Sequence, residues 1–453
     1  MGGIAQQRVI PDTESAYVSW QGKSVDFSHG KLLVSENGRF ITHADGTPFF
    51  YLGDTAWELF HRLNRDEAER YLENRREKGF SVIQSVMLAE LDGLNTPAAN
   101  GELPLIDHDP EKPNEAYFAW VDTIIRLAGQ KGLYMALLPT WGDKVDTQWG
   151  IGPVVFNRQN AKIYGRYLAN RYKDFPNIIW IIGGDRNGGG DNTPVWHALA
   201  EGIKSIDRNH LMTFHPFGEH TSGQWFHEAG WLDFNGSQTG HAACSFEIFD
   251  RLIVADYNRL PVKPCINLEP NYEDHPVRGN NCTTITWFDD SNCRQALYWS
   301  LFSGAAGHTY GSHPVWQFMS PSHNPEGGVR NNWYDVLDLP GAGNMIHARR
   351  LMEAYDFYSR VPAPELILTP QPDALDMAVA AKGKGYAFVY LPNGNTVEVS
   401  LEGISRSPVL ELKWFNPRTG EYLPIGKVPA KGSRQATPPS SGKGHDWILV
   451  LLD

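Results

Sequence analysis

Residues 177–185 read NIIWIIGGD: an apolar run, two glycines, then one carboxylate. Five consecutive Ile and Trp residues suit a strand buried on both faces, as in a parallel sheet. The glycines let the chain turn sharply where the strand ends. Asp185 is thereby carried to the mouth of the sheet, with Arg186 beside it. The same grammar recurs in both directions. Upstream lie FFYLGDT (49–55), FSVIQSVML (80–88) and LYMALLPTW (133–141). Downstream lie LMTFHPFG (211–218), WLDFNGSQTG (231–240), KPCINLEPNYE (263–273) and GHTYGSH (307–313).

Helical patterns separate these runs. RDEAERYLENRREKG has acids early, bases late and a closing Gly79, as helix ends prefer. NEAYFAWVDTIIRLAGQKG is amphipathic and stops at Gly132. QNAKIYGRYLANRYKD, VWHALAEGIKSID, SFEIFDRLIVADYNRL, SNCRQALYWSLFSG and AGNMIHARRLMEAYDFY complete the set. Eight strands alternating with helices predict a (β/α)8 TIM barrel. A doubly wound sheet would place a Gly-rich phosphate loop after its first strand, where this chain has GDTAWELF.

From about Val361 the pattern changes to short alternating runs separated by Gly, Pro and Asn turns: DALDMAVAAK, GYAFVYLP, TVEVSL, VLELKWFNPRTGEYLP and DWILVLLD. They predict an antiparallel β-sandwich. VPAKGSRQATPPSSGKG (428–444) reads as a long loop. The expected organisation is an N-terminal extension over 1–30, the barrel over 31–358 and the C-terminal β-sandwich over 361–453, packed against the barrel. Inside the first part of the barrel domain, GRFITHADGTPFFYLG reads as a hairpin turning at Asp45-Gly46.

Composition narrows the function. Apolar residues are 41% and charged residues 20% of 453, which is ordinary for a globular chain with a sizeable core. The net charge of −12 comes without a Lys/Arg run, so no nucleic-acid or membrane-surface partner is expected. No signal peptide or membrane span is evident, so the chain is expected to be soluble, either cytoplasmic or without its leader. None of the four cysteines forms a CxxC or zinc pattern. Cys282 and Cys293 flank one polar segment, which leaves two readings open: a bridge between them, or four free thiols. No HExxH, no GxSxG and no GKS/T phosphate loop occurs, so no metal and no cofactor is expected. GGDRNGGGDN is read as a flexible loop over the cleft.

In a barrel the site lies at the C-terminal ends of the strands. Strand four delivers Asp185 there, and strand seven, ending CINLEPNYED, delivers Glu269. Two facing carboxyls are what glycosidic cleavage needs: one protonated to assist the leaving oxygen, one ionised to meet the developing cation. Each residue could instead be structural, Asp185 capping a helix and Glu269 in a salt bridge; as a pair on strands four and seven they point to catalysis. The other strand ends supply candidates for binding sugar: Asp54, Trp57 and Glu58; Gln84, with Glu90 and Asp92 on the loop beyond; Trp141 and Asp143; Arg186; His215; Gln238 and His241; and His308, Tyr310 and His313. Asp54 could equally cap the first helix. With 15 Trp, rings are available both for the core and for stacking on sugars.

FFYLGDTAWELFHRL, GFSVIQSVMLAELDGLNTPAANG, PLIDHDPEKPNEAYF, LLPTWGDK, NIIWIIGGDRN and INLEPNYED together resemble glycoside hydrolase family 140, the bacterial apiosidases acting on the pectin rhamnogalacturonan II. The tail resembles the collagen-binding-type β-sandwich often appended to that family. The resemblance implies Asp185 as acid/base and Glu269 as nucleophile of a retaining reaction. The implied substrate is the plant cell-wall linkage between apiose and galacturonic acid, with Arg186, Lys144 or Arg278 meeting uronate carboxylates. A glycosidase of the same mechanism on another furanoside or pyranoside is the alternative, and a non-catalytic carbohydrate-binding protein is a third reading.

Overall fold

The computed structural model describes residues 18–278, 282, 285–371 and 373–453. The first part of the N-terminal extension, 1–17, lies outside them. Residues 18–30 run close against the barrel: the Trp20 N–H donates to the Glu77 carbonyl (2.7 Å), and the Ser24 and Val25 N–H groups to the Lys131 and Gly132 carbonyls. No helix among the described residues is long and apolar enough to cross a membrane.

All eight predicted barrel strands are present. They are β1 (Tyr51–Thr55), β2 (Val82–Val86), β3 (Tyr134–Leu138), β4 (Ile178–Gly183), β5 (Met212–His215), β6 (Asn235–Gln238), β7 (Cys265–Asn267) and β8 (Gly307–Tyr310). They pair in the order β5-β4-β3-β2-β1-β8-β7-β6, every pair parallel. The seam between β5 and β6 is closed outside the strands proper. There the Asp233 N–H donates to the Met212 carbonyl (2.8 Å) and Thr213 Oγ1 to the Phe234 carbonyl (2.7 Å). The result is a nearly closed TIM-type barrel.

Strand periodicity divides the core. On β3, Tyr134, Ala136 and Leu138 join one hydrophobic cluster, and Met135 and Leu137 join the other. On β4, Ile179 and Ile181 separate from Ile178, Trp180 and Ile182 in the same way. Both faces of each strand are buried, which is why the runs read as continuously apolar. The helices begin where the sequence provides caps. Asn64 accepts from the Asp66 and Glu67 N–H groups at the start of Arg65–Glu77, and Asp289 caps Asp290–Phe302.

The C-terminal region forms a six-stranded antiparallel sheet and a facing two-stranded one, Val397–Ser400 with Ser433–Ala436. The latter strand falls within the stretch read as loop. Its residues Ser433, Arg434 and Gln435 are exposed and polar, so alternation gave no signal. The sheets meet the barrel across the helix Asp290–Phe302. Arg294 Nη2 lies 2.9 Å from Asp446 Oδ1, both side chains 1% exposed. Trp299 Nε1 donates to the Met377 carbonyl (2.8 Å), and Phe302 stacks on Phe388 at 5.7 Å.

The disulfide joins Cys244 to Cys282, while Cys265 and Cys293 are buried thiols. This corrects both cysteine readings. Cys293 sits in the first turn of a capped helix with its Sγ toward the Asn271 carbonyl, whereas Cys282 lies against Ala242 on the loop after β6.

Candidate active site

Gly183 (φ +101°), Gly184 (φ +114°) and Asp185 (φ +54°) follow one another in the left-handed region. A Cβ on Gly184 would come within 2.9 Å of the Trp141 ring, so glycine is required there. For a non-glycine residue such a backbone costs about 1–3 kcal/mol and persists only where the surroundings fix it. The turn brings the Asp185 carboxyl to His215 and Glu269. Glu269 lies two residues beyond β7, its carbonyl accepting from the Gly240 N–H (3.1 Å).

His215, the last residue of β5, stands between the two. Its Nδ1 is 3.8 Å from Asp185 Oδ1 and its Nε2 is 3.0 Å from Glu269 Oε2. On the far side, His241 Nε2 is 3.2 Å from Glu269 Oε1. His215 and His241 thus bracket the Glu269 carboxyl. One oxygen of Asp185 and one of Glu269 lie within 4.8 Å of each other.

The two carboxyls are driven apart in acidity. Burial, and then the negative charge of Glu269, pushes Asp185 up to about 7. Burial would raise Glu269 as well, but the imidazoles of His215 and His241 outweigh it and hold its carboxyl well below the usual range. One protonated and one ionised carboxyl in the same site is the arrangement of an acid and a nucleophile. Asp185, His215 and Glu269 are also the group of ligand atoms, among the described residues, close enough together to hold a metal ion.

The pair opens into a cleft of about 800 Å³. Of the residues expected to bind sugar, Trp57, Trp141 and Gln238 line it, and His215 closes its floor against the two Trp rings. Glu90, His241 and Arg278 line it as well. The remaining candidates are turned elsewhere. Asp54 is fully buried against Arg75 (2.7 Å) and Tyr71. Glu58 holds His61 (2.7 Å) and the Leu91 N–H. Gln84 spans the barrel interior from the Tyr51 hydroxyl to the Leu268 carbonyl. Asp143 pairs with Lys144 and accepts from the Ile151 and Gly152 N–H groups. Tyr310 donates to Glu273 (2.6 Å), and His308 is buried away from the cleft. Arg186 turns back to Asp146 and lies over the Trp149 ring at 4.4 Å, so it reaches the cleft only through that ring. Residues 186–192 do not cover the cleft; Gly188 and Gly189 pack on Trp225 and Phe226.

Sequence reading missed Trp149, Phe217, His220, Tyr272, His275 and Trp316, all of which line the cleft. Tyr272 stands within a motif already singled out, INLEPNYED, and His275 directly follows it. Trp149 is 40% exposed on a Gly-flanked loop. A large exposed ring beside glycines was the available signal.

A TIM barrel with a protonated and an ionised carboxyl facing each other at the ends of its fourth and seventh strands fits the glycoside hydrolases. Residues 35–359 match the family profile "Apiosidase-like, catalytic domain", and residues 361–452 match "Putative collagen-binding domain of a collagenase". The chain is a member of the apiosidase-like family. A solved structure described as a glycoside hydrolase is 36% identical, with a TM-score of 0.87 over 95% of this chain and 98% of that one. A glycoside hydrolase of family 5 from Bacteroides vulgatus is 34% identical, with a TM-score of 0.87 over 95% of each chain. No curated protein sequence matches the chain.

Proposed function

We propose that this glycosidase cleaves the linkage between apiose and galacturonic acid in rhamnogalacturonan II, as a family 140 enzyme, by a retaining double displacement. The carboxyl separation carries the chemistry. Oxygens within 4.8 Å suit direct attack. An inverting enzyme needs carboxyls roughly 6.5–9.5 Å apart to hold a water between them. Protonated Asp185 gives its proton to the glycosidic oxygen as the bond to the anomeric carbon breaks. Glu269 bonds to that carbon from the opposite face and forms a glycosyl ester. Asp185, now ionised, takes a proton from water, whose oxygen displaces Glu269 and restores both carboxyls. The tilted pair Trp57 and Trp141, 5.3 Å apart, offers apolar surface to a small furanose. Of the three cations considered for uronate binding, Arg278 lines the cleft, while Lys144 and Arg186 are buried in other contacts.

Digestion of rhamnogalacturonan II side chains tests the reading. Wild type is expected to release reducing apiose, and Glu269→Gln to lose at least about a thousandfold in rate while keeping its fold. Cleavage of another glycoside but of no apiosyl linkage would keep the mechanism and discard the sugar. Wild-type activity in Glu269→Gln would remove Glu269 from the reaction.

A further inference from the structure

Glu90 lies on the loop after β2, and its carboxyl faces the cleft near Asp185. Among the described residues that carboxyl takes part in no hydrogen bond or ion pair. The backbone on either side of it, by contrast, is held by two ions. Lys144 Nζ donates to the Ala89 carbonyl (2.5 Å), and the Leu91 N–H donates to Glu58 Oε1 (3.0 Å). Lys144 and Glu58 are both fully buried. Each also has its own side-chain partner, Asp143 at 2.8 Å and His61 at 2.7 Å. Just beyond, Asp92 turns in the left-handed region (φ +61°) and returns its N–H to the Glu90 carbonyl (2.9 Å).

Buried ions persist only where their partners compensate them. Here part of that compensation is the peptide chain flanking one cleft residue. The arrangement fixes where Glu90 stands and leaves its carboxyl unspent. A site that binds a polar ligand is built this way, with a rigid support and a free end. A structural carboxyl would show the reverse, its own oxygens bonded and its backbone unremarkable.

We infer that Glu90 is a third carboxyl of the active site, one that hydrogen-bonds two neighbouring hydroxyls of the sugar held beside Asp185 and so selects among glycosides. The inference rests on the assignment of Asp185 and Glu269 given above. Two adjacent hydroxyls and one carboxyl each offer two oxygens at matching spacing. Burial, and then the charges of Asp185, Glu58 and Asp143, hold the Glu90 carboxyl well above the usual range. In its neutral form it can donate one hydrogen bond and accept another. It makes and breaks no covalent bond in the reaction.

The test compares wild type, Glu90→Gln and Glu90→Ala on the aryl glycoside that wild type cleaves best, and on that glycoside's monodeoxy analogues. Glu90→Ala is expected to lower kcat/KM on the parent by roughly 10- to 100-fold. Glu90→Gln should recover part of that loss, because an amide still spans two hydroxyls. The discriminating readout is non-additivity: removing the contacted hydroxyl should penalise wild type and leave Glu90→Ala nearly unaffected. Parent kcat/KM unchanged in Glu90→Ala, or equal deoxy penalties in wild type and variant at every position, would overturn the inference. Glu269→Gln assayed on the same parent separates the two readings: activity retained there refutes the catalytic assignment, whatever Glu90 does.

Discussion

At the scale of single residues, the site sets two groups of the same chemical kind apart in acidity. In the proposed reaction Asp185 carries a proton when substrate arrives. Its carboxyl is pushed up to about 7, so that proton is present below pH 7 and lost as pH rises through that value. Glu269 is held low and stays ionised throughout. Wild-type kcat/KM should therefore fall about tenfold per pH unit above about 7. Asp185→Asn should abolish that alkaline limb and keep activity only on substrates whose leaving group needs no proton. Initial rates on an aryl glycoside between pH 5 and 9 check both statements. These two carboxyls were legible because each closes an apolar run that nothing else explains. Asp54 closes such a run too, yet Arg75 and Tyr71 of a following helix take its carboxylate. A strand end shows that a charge needs a partner and does not say whether the partner is solute or protein.

Among elements, strands and helices were readable because burial imposes a period on them. The strand Ser433–Ala436 was not, since its outward polar residues erase the alternation. Loops carry no period at all, which is why Trp149 went unnoticed, while Phe217 lies in a run read as strand although the strand itself ends at His215. It is also why the partner of Cys282 was misread: the contact depends on how the loops after β6 and β7 converge. There the Arg278 N–H donates to the His241 carbonyl (2.9 Å), and the Cys244–Cys282 bridge ties the same two loops covalently. Replacing both cysteines by serine should lower stability by about 2–4 kcal/mol in urea denaturation. It should also raise KM, since His241 and Arg278 sit on the wall that the bridge supports.

On the scale of the whole molecule, the barrel and the C-terminal sheets share a dry boundary. Arg294 and Asp446 meet there, and Tyr390 and Arg418 approach the same carboxylate. Arg294→Met would strand a buried charge on the partner side. The expected loss is about 3–5 kcal/mol, with both parts unfolding in one transition by calorimetry. The presence of a sandwich could be read from its alternation, but the depth of the junction could not. Arg294 and Asp446 are 152 residues apart, and neither is unusual in its own segment.

The helix that forms this boundary, Asp290–Phe302, also links the strand that presents Glu269 to the last strand of the barrel. Two profiles abut near residue 360, which invites a reading of interchangeable modules. Recombination that carried off the first 360 residues alone would inherit a slab of Tyr298, Trp299 and Phe302 facing water, with the Arg294 guanidinium left only its own helix's Asp290 as an anion. The heritable unit is thus larger than the catalytic one, and lineages that keep the barrel are bound to keep its companion or to resurface that helix.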